Sequence, residues 1–466
     1  MNTPSLTKLV YIPVLMVAMS SCFTAKTYDR PQVVEEANFR TDNLSEDSLN
    51  IAELSWRELF LDEKLADLIE LGLQNNLDVR VALQQILAAE SYFKQGKAGN
   101  IPLLSINPQV THQELSRNSQ FGAFFDGGIT QYEISANLSW EADIWGKIRS
   151  TRRAFEAGYL QSVAAHQAIK TELISRIATH YFQLMALDEQ LKLTKETIAN
   201  REIALETTQA LKESGIVTEV AVKQTEAQLH TARVLMIDLE LEIKLLENTV
   251  AILLGDEPRA IERASFYEQE INPELGIGFP LQLLRNRPDV IAAEFGLVNA
   301  FELTNVARSS FYPSLTISAT SGLQSLQFDR LFSLNSVFAS FIGGLTQPIL
   351  NGRRIQTAYE VSLTQQEQAY LEFRRTILSA TKEVSDALYT FEASERRIIA
   401  KNLEFQAYDI SIEYSEELLD NGIGNFLEVL TARENALNSE LGLINARLIQ
   451  YGAIVELYRA LGGGWQ

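Results

Sequence analysis

The sequence predicts a mainly α-helical fold with a β-barrel part, in which a unit of helix, β-hairpin, long helix and return helix occurs twice. Three observations lead to this prediction: long stretches without proline, a helical apolar pattern inside them, and landmarks that recur at a nearly constant offset. The chain has 466 residues, which is enough for up to three ordinary domains.

The longest helices are predicted where proline is missing. All eleven prolines lie outside residues 109–257 and 349–466. Between residues 149 and 212 apolar side chains recur every three or four positions, which is the spacing of one helix face. About 60 residues in one helix would extend for about 90 Å, and residues 354–419 show the same pattern. Helices of this length need similar helices beside them to cover their apolar face.

The two halves of the chain share landmarks in the same order, which indicates a duplication. The paired landmarks are Pro102 with Pro313, Asp78-Val79 with Asp289-Val290, Gly146 with Gly352, and Gly215 with Gly422. The first two pairs are 211 residues apart, and the glycine pairs are 206 and 207 residues apart. Four ordered landmarks at a nearly constant offset predict an internal repeat.

Each half also contains a candidate β-hairpin. The predicted strands are residues 102–113, 130–143, 313–324 and 336–348. From Tyr132 to Trp140 apolar and polar residues alternate, as in a barrel strand whose outer face meets lipid. Four strands cannot close around a hydrated lumen, so the sequence predicts an oligomer, and three chains would supply twelve strands.

The N-terminal residues predict export. Lys8 precedes an apolar run from Leu9 to Met19, which is typical of a secretory signal. The segment Met19-Ser20-Ser21-Cys22 resembles a bacterial lipobox, and Cys22 is the only cysteine, so no disulfide can form within the chain. We therefore predict that Cys22 is the acylated N-terminus of the mature protein, the alternative being a small core residue.

Composition excludes several function classes. The formal net charge of −20 argues against a nucleic-acid partner. Past Cys22 there is no apolar run of the 18 residues that a spanning helix needs. The histidines, which show no paired metal-ligand spacing, are His112, His166, His180 and His230. With no nucleophile elbow or phosphate-binding loop either, we predict no enzymatic activity, no cofactor and no metal.

Ordered sequence blocks resemble a known family. The most specific is Leu284-Arg285-Asn286-Arg287-Pro288-Asp289-Val290. Further blocks lie at residues 56–60, 75–80, 138–146, 347–352 and 429–432. In these blocks the chain resembles the TolC-type outer-membrane efflux proteins, specifically the NodT-like lipoprotein branch of RND efflux systems.

The resemblance implies a homotrimer in the cell outer membrane, with a 12-stranded β-barrel in outer-membrane lipid on a long periplasmic α-helical barrel. It implies an outer-membrane channel subunit of a tripartite efflux system. Such a channel conducts drugs or other toxic compounds to the exterior from an inner-membrane RND-type pump and a periplasmic adaptor, the membrane fusion protein. The alternative is a periplasmic coiled-coil scaffold or adaptor without a barrel, which leaves the two alternating hairpins unexplained. Only Met185 and Met236 lie outside the signal, which disfavours a thioether path for copper or silver.

The predicted organisation follows the repeat. It consists of a signal peptide (1–21), a lipid-anchored belt segment (22–61), repeat 1 (62–257), a linker or belt (258–280), repeat 2 (281–460) and a tail (461–466). The hairpins are placed at about 101–143 and 312–348, and the tips of the long helix pairs at about 212–218 and 420–426.

The two tips are the candidate adaptor contacts. Gly215 and Gly422 stand where a helix ends through left-handed backbone geometry, and the hydroxyl of Thr218 is predicted to cap the return helix. Each tip is at least a helix–helix turn, and the resemblance adds that an adaptor docks there. The implied contact residues are Gly215, Val217, Gly422, Gly424 and Asn425.

A periplasmic gate is implied just after the second tip. Glu428 lies where the family commonly has an acidic gate residue, and three copies around a threefold axis would form a carboxylate ring. A second family acid is replaced by Thr431, and Leu427 with Leu430 offers an apolar constriction instead. The alternative is a solvated glutamate on a helix face.

Two tryptophans close this set of candidates. Trp140 lies near the end of the second predicted strand and Trp145 follows it, at the predicted periplasmic rim of the barrel, where amphipathic rings favour a membrane interface. A packing role is the alternative for both.

Overall fold

The computed structural model describes residues 25–31, 55–116, 118–120, 128–269, 286–424 and 426–465. Cys22, the signal peptide and Asn425 lie outside the described residues. The chain divides into two compact units, made of Met1–Pro31, Leu87–Gln161 and Glu294–Glu372, and of Gln32–Ile86, Ser162–Ala293 and Phe373–Gln466. The domain boundaries drawn from the repeat stay a prediction.

The chain is folded as two repeats of one plan. Two short helices, α1 (Trp56–Leu59) and α2 (Glu63–Asn75), come first. Repeat 1 then consists of α3 (Leu77–Ala98), β1 (Leu103–Gln113), β2 (Ile129–Ala142), α4 (Lys147–Glu213) and α5 (Glu219–Leu253). Repeat 2 consists of α6 (Pro288–Ser309), β3 (Ser314–Ser325), β4 (Val337–Thr346), α7 (Arg354–Asp420) and α8 (Phe426–Ala460).

The matching helices have equal lengths. Helices α3 and α6 have 22 residues each, α4 and α7 have 67, and α5 and α8 have 35. The predicted duplication, long helices and four strands are therefore confirmed, with strand ends differing by one or two residues from the prediction.

The first unit contains a four-stranded antiparallel sheet in the order β1-β2-β3-β4. One row across it is apolar and consists of Leu104, Leu138, Ala319 and Phe341. The neighbouring row is polar and consists of Ser105, Asn137, Thr320 and Ser340. Because neighbouring rows point to opposite faces, the sheet is amphipathic. Within the described residues no strand pairs with the outer side of β1 or β4.

Helix α4 starts at a sharp corner after the sheet. Asp143 caps it, since its carboxylate accepts from the backbone N–H groups of Ile148 and Arg149, both at 2.9 Å. Gly146 turns the chain with φ +78°. A polar aspartate and a glycine before an apolar-periodic stretch thus set where the helix begins.

Helix α6 packs on the start of α4 through polar side chains. Glu302 forms an ion pair with Arg153 at 2.8 Å, and Asn299 donates to the carbonyl of Ala154 at 2.6 Å. Among the described residues α6 is the one helix whose length and composition would suit a membrane span. Glu302 and Asn299 contact α4 within the first unit, so α6 packs there against another helix of the chain.

The second unit holds the apolar core. Its largest fully buried side chains include Tyr181, Phe182, Phe266, Leu59 and Leu65. Tyr181 also joins three segments, because its hydroxyl donates to Asp62 at 2.6 Å and accepts from the N–H of Ala264 at 3.0 Å. Tyr181 thus ties the start of α2 and the chain after α5 to the long helix α4.

Candidate functional site

The first tip joins α4 to α5. Gly215 has φ +76°, and the N–H groups of Gly215 and Ile216 reach the carbonyls of Lys212 and Leu211, both at 2.9 Å. The predicted left-handed helix end is therefore confirmed here. Lys212 also forms a 2.5 Å ion pair with Glu219 across the turn.

Thr218 occupies the N-cap position of α5, but its side chain makes no cap hydrogen bond. The prediction that its hydroxyl caps the helix is wrong. The backbone carbonyl of Thr218 accepts from Ala221 at 3.1 Å instead. The Lys212–Glu219 pair, with an acid in the first turn, complements the helix N-terminus in its place.

The second tip joins α7 to α8 and is wound more tightly. Gly422 has φ +71°, which confirms the left-handed end here too. The N–H groups of both Ile423 and Gly424 reach the carbonyl of Leu418, at 3.0 and 2.8 Å. A Cβ on Gly424 would lie 2.7 Å from the backbone nitrogen of Leu419, so a larger residue would displace the turn.

The predicted adaptor contacts differ in exposure. Gly215 and Gly422 are exposed, while Val217 and Gly424 are half-buried. Each left-handed glycine is followed by an isoleucine, which the sequence reasoning missed. Ile216 is 66% exposed and Ile423 is 78% exposed, although an apolar residue after such a glycine commonly packs back on its helix. An isoleucine follows the tip glycine in both repeats, and this match is the sequence signal that could have identified Ile216 and Ile423.

The gate candidates do not all face the same way. Leu427, Glu428 and Thr431 are exposed at the start of α8, where Thr431 donates to the carbonyl of Leu427 at 2.8 Å. Leu430 is only 4% exposed and packs among the helices of its own chain. The structure therefore groups Glu428 with Leu427 and Thr431, and it places Leu430 in the core rather than in an apolar constriction.

Arg201 is a linking residue that the sequence reasoning missed. Its side chain is about 10% exposed and donates to the carbonyl of Gln228 on α5 and to Glu434 on α8, each at 2.5 Å. One guanidinium on α4 thus holds both return helices. Nothing in the local pattern of α4 distinguishes Arg201 from a solvated arginine.

A cavity of about 730 Å³ lies beside this link, between α4, α5, α7 and α8. Its acidic side includes Glu440, Glu196 and Asp409. Burial, reinforced by the charges of Glu196, Glu189 and Asp409, raises the pKa of Glu440. The long helices are therefore separated near the tips by a gap with both apolar and acidic lining, and Arg201 lies at its side.

The far ends of the return helices are also fastened. The side chain of Asn76, just before α3, donates to the carbonyl of Leu253 at 2.9 Å. Arg287, just before α6, donates to the carbonyl of Ala460 at 2.9 Å and pairs with Asp289 and Glu383 at 2.7 and 2.8 Å. We call these contacts the asparagine clasp and the arginine clasp. Arg287 and Asp289 belong to the most specific sequence block, which thus has a packing role.

Both tryptophans have partners inside the chain. The indole of Trp140 donates to the carbonyl of Asn100 at 3.0 Å, and that of Trp145 donates to Pro313 at 2.7 Å. Trp145 also contacts the ring of Tyr312 with centroids 5.0 Å apart. These contacts support the packing alternative, and the membrane interface stays a prediction.

Comparison with known proteins identifies the chain. Residues 68–256 and 280–463 match the family described as Outer membrane efflux protein. A probable efflux pump outer membrane protein, TtgC of Pseudomonas putida, is 30% identical over 89% of this chain and 86% of its own. The probable outer membrane lipoprotein SilC of Salmonella typhimurium is 26% identical over 98% and 99%.

Among solved structures, the Neisseria gonorrhoeae MtrE outer membrane channel in its open state has the same fold, with a TM-score of 0.84. It is 24% identical, and the match covers 96% of this chain and 99% of MtrE. The duplicated plan, the amphipathic sheet and these matches agree. The chain belongs to the outer membrane efflux protein family, and it is an outer-membrane efflux channel component.

Proposed function

We propose that this chain assembles as a homotrimer that forms the outer-membrane channel of a tripartite efflux system. The observation that carries the proposal is the amphipathic sheet with two open edges. An exposed edge invites pairing with another chain, and three four-stranded sheets would close a ring of twelve strands in lipid.

Exposed helix faces support the same assembly. Helix α5 carries an exposed apolar face made of Val234, Ile237, Leu241, Leu245 and Ile252. Helix α7 carries another, made of Ile399, Leu403, Ile410 and Tyr414. Inside the chain α4 and α8 meet through Arg201 and Glu434. We therefore propose that α5 of one copy packs on α7 of the next, a head-to-tail contact that closes a ring.

Native mass measurement of the detergent-purified protein tests the assembly. We expect one species with the mass of three chains and a heat-labile band on gels. Ser340→Cys and Ser105→Cys, combined in a Cys22→Ala background, place one thiol on each open edge and should yield cross-linked ladders only between chains. A monomer in the periplasmic extract would favour the scaffold reading and contradict the channel.

The tips are proposed to receive the periplasmic adaptor, which connects the channel to an inner-membrane RND-type pump. The proposed contacts are Gly215, Val217, Gly422, Gly424 and Asn425, together with Ile216 and Ile423. Two apolar side chains exposed at 66% and 78% beside left-handed turns support an apolar docking surface.

Co-purification of the adaptor tests the tips. We expect Ile216→Ser with Ile423→Ser to reduce adaptor recovery at least tenfold, a change that corresponds to about 1.4 kcal/mol of binding. Ile203→Ser is the matched control, because Ile203 is 64% exposed on α4 away from the turns. Equal loss with the control would contradict docking at the tips.

The gate is proposed at Glu428, with Leu427 and Thr431 on the same exposed face. A ring of three carboxylates would favour cations and repel anions. In planar bilayers we expect Glu428→Gln to reduce the cation preference of the conductance. The matched control is Glu219→Gln, the first-turn acid at the other tip, whose charge Lys212 already balances.

Arg201→Met should raise the conductance of the closed channel, because the link between α4 and both return helices is removed. We expect an increase of severalfold with an unchanged trimer mass. If neither Glu428→Gln nor Arg201→Met changes the conductance, the tip is not the element that closes the channel.

The proposed cargo is toxic organic compounds, and the proposed anchor is a diacylglycerol on Cys22. Relatives include a toluene efflux pump protein, an antibiotic efflux pump protein and a cation efflux protein. Met185 is 1% exposed and Met236 is half-buried, so at most one methionine per chain is open to a metal path, which supports organic cargo. Gene deletion with susceptibility profiling tests the cargo. Mass analysis of the N-terminal peptide tests the anchor, and Cys22→Ala should lose the acyl group yet keep partial efflux.

A further inference from the structure

Residues 25–31 lie extended along one face of α6, within the first unit. The backbone of Lys26 exchanges two hydrogen bonds with the side-chain amide of Asn305: its N–H donates at 3.3 Å and its carbonyl accepts at 3.0 Å. A side-chain amide that pairs with both backbone groups of one residue imitates a strand partner. Asn305 is 5% exposed, so this contact is built into the packing.

Two further contacts follow at alternate residues. The ring of Tyr28 meets Phe301 edge to face with centroids 5.7 Å apart, and Arg30 pairs with Glu294 at 2.9 Å. Burial and the charge of Glu294 raise the pKa of Tyr28 to about 12, so the phenol is neutral at physiological pH.

The spacing of these contacts fits an extended segment on a helix. The four residue steps from Lys26 to Arg30 span about 13 Å of extended chain, and the eleven steps from Glu294 to Asn305 span about 16 Å in close to three helical turns. Residues 26, 28 and 30 therefore run antiparallel to α6 along a single face. We call this segment, residues 25–31, the strap.

The N-terminal end of the strap, Ala25, lies at the corner between β2 and α4. A Cβ on Gly146 would lie 3.6 Å from the Cβ of Ala25 and 3.6 Å from the guanidinium of Arg149. Only two residues separate Ala25 from Cys22, so the Cα atoms of these two residues are at most about 11 Å apart.

We propose that the strap is a fixed-length connection that holds the acylated N-terminus beside the end of β2, and that Asn305 is the positioning residue that closes it. The proposal rests on the proposed acylation of Cys22. Its partner is a lipid surface, which the acyl chains then enter at the level where the sheet ends. The contacts of the strap with α6 would thus fix the distance between the acylated N-terminus and the sheet, so that both meet the same leaflet.

Limited trypsin digestion of the purified full chain tests the strap, because Lys26 is a cleavage site within it, whereas Arg30 is protected by Pro31. We expect Asn305→Ala to raise the rate of cleavage after Lys26 about tenfold or more, since two hydrogen bonds that hold this backbone are lost. Asn305→Asp keeps the acceptor for the N–H of Lys26 and should give an intermediate rate.

Changes on the strap itself leave α6 intact and keep the test informative if Asn305→Ala misfolds. Tyr28→Ala should raise cleavage, whereas Tyr28→Phe should match the unaltered chain, because the buried hydroxyl of Tyr28 has no hydrogen-bond partner among the described residues. Equal cleavage of the unaltered chain, Asn305→Ala and Tyr28→Ala would overturn the proposal.

A spin-label distance separates failure of the strap from failure of the acylation. In a Cys22→Ala background, labels at Thr27→Cys and Arg152→Cys should give one narrow distance distribution that broadens with Asn305→Ala. A broad distribution before that change overturns the strap whatever the state of Cys22. An unacylated N-terminal peptide in the unaltered chain overturns the anchor, with the strap still judged by the distance.

Discussion

The two repeats have matching helices of equal length, yet their return helices are fastened by different chemistry. In repeat 1 the neutral Asn76 holds the carbonyl of Leu253, the last residue of α5. In repeat 2 Arg287 holds the carbonyl of Ala460, the last residue of α8, and also pairs with two acids. The carbonyl at the end of the return helix thus accepts from a neutral side-chain amide in repeat 1 and from a guanidinium with two acidic partners in repeat 2.

The difference matters because the two solutions respond differently to damage. A neutral hydrogen bond loses one partner when it is broken, whereas a buried ion pair leaves an uncompensated charge. Arg287 is 3% exposed, and Arg459 adds a second guanidinium on Glu383 at 3.0 Å. The arginine clasp should therefore be the more fragile of the two under mutation and under acid.

The largest effect is expected from breaking the arginine clasp. Arg287→Met should lower the free energy of unfolding by about 3 kcal/mol, because Asp289 loses its partner, the carbonyl of Ala460 loses its donor, and Glu383 keeps only Arg459. Asn76→Ala, the matched change in repeat 1, should cost about 1–3 kcal/mol. Thermal unfolding followed by circular dichroism measures both losses. Equal losses would show that the arginine clasp contributes no more to stability than the asparagine clasp.

Acid should reproduce part of this effect. Burial favours the neutral form of Asp289, but its hydrogen bonds and charge interaction with Arg287 outweigh burial and lower its pKa. A carboxyl with a lowered pKa in the folded state stabilises above its unfolded value of about 3.9 and loses that contribution as pH falls below it. The unaltered chain should lose stability in this range, and Arg287→Met should lose less there.

Much of the fold was predictable because it is written in periodicity and spacing. Proline-free stretches with a helical apolar pattern predict α4 and α7, and alternation predicts β2. The left-handed ends at Gly215 and Gly422 were predictable because only glycine adopts that geometry without strain.

The side-chain connections were not predictable, since their partners are distant in sequence. Arg201 and Glu434 are 233 positions apart, and Asn305 and Lys26 are 279 apart. Leu430 was assigned to a constriction because an apolar residue near a gate and an apolar core residue look alike in sequence. Thr218 takes the N-cap position without a side-chain cap bond, and residue type alone predicts the position but not the bond.

The two tips also differ between the repeats, and exchanging their matched residues tests this difference. Val217 in the first turn corresponds to Gly424 in the second, where a Cβ would come within 2.7 Å of backbone. Gly424→Val should cost about 1–3 kcal/mol through overpacking. Val217→Gly should cost only about 0.5–1 kcal/mol through backbone entropy. Unfolding midpoints measure both losses, and a larger loss for Val217→Gly than for Gly424→Val would mean that the second turn has room for the added side chain.

The smallest effect is expected at Glu440 on α8, whose counterpart on α5 is Arg233. Arg233 pairs with Glu202 at 2.7 Å, while Glu440 faces other acids, and burial together with these acids raises its pKa. A carboxyl with a raised pKa destabilises the folded state at neutral pH, and this penalty disappears as pH falls through the raised value.

Glu440→Gln should therefore stabilise the chain by about 0.5 kcal/mol at pH 7, a magnitude typical of half-exposed charges, and the gain should vanish toward pH 4. Arg233→Gln, the matched change, should destabilise by a similar amount that does not vary between pH 5 and 8. Unfolding midpoints measured between pH 4 and pH 8 test both changes. A pH-independent gain from Glu440→Gln would mean that packing, and not charge, makes this helix pair of repeat 2 differ from its counterpart in repeat 1.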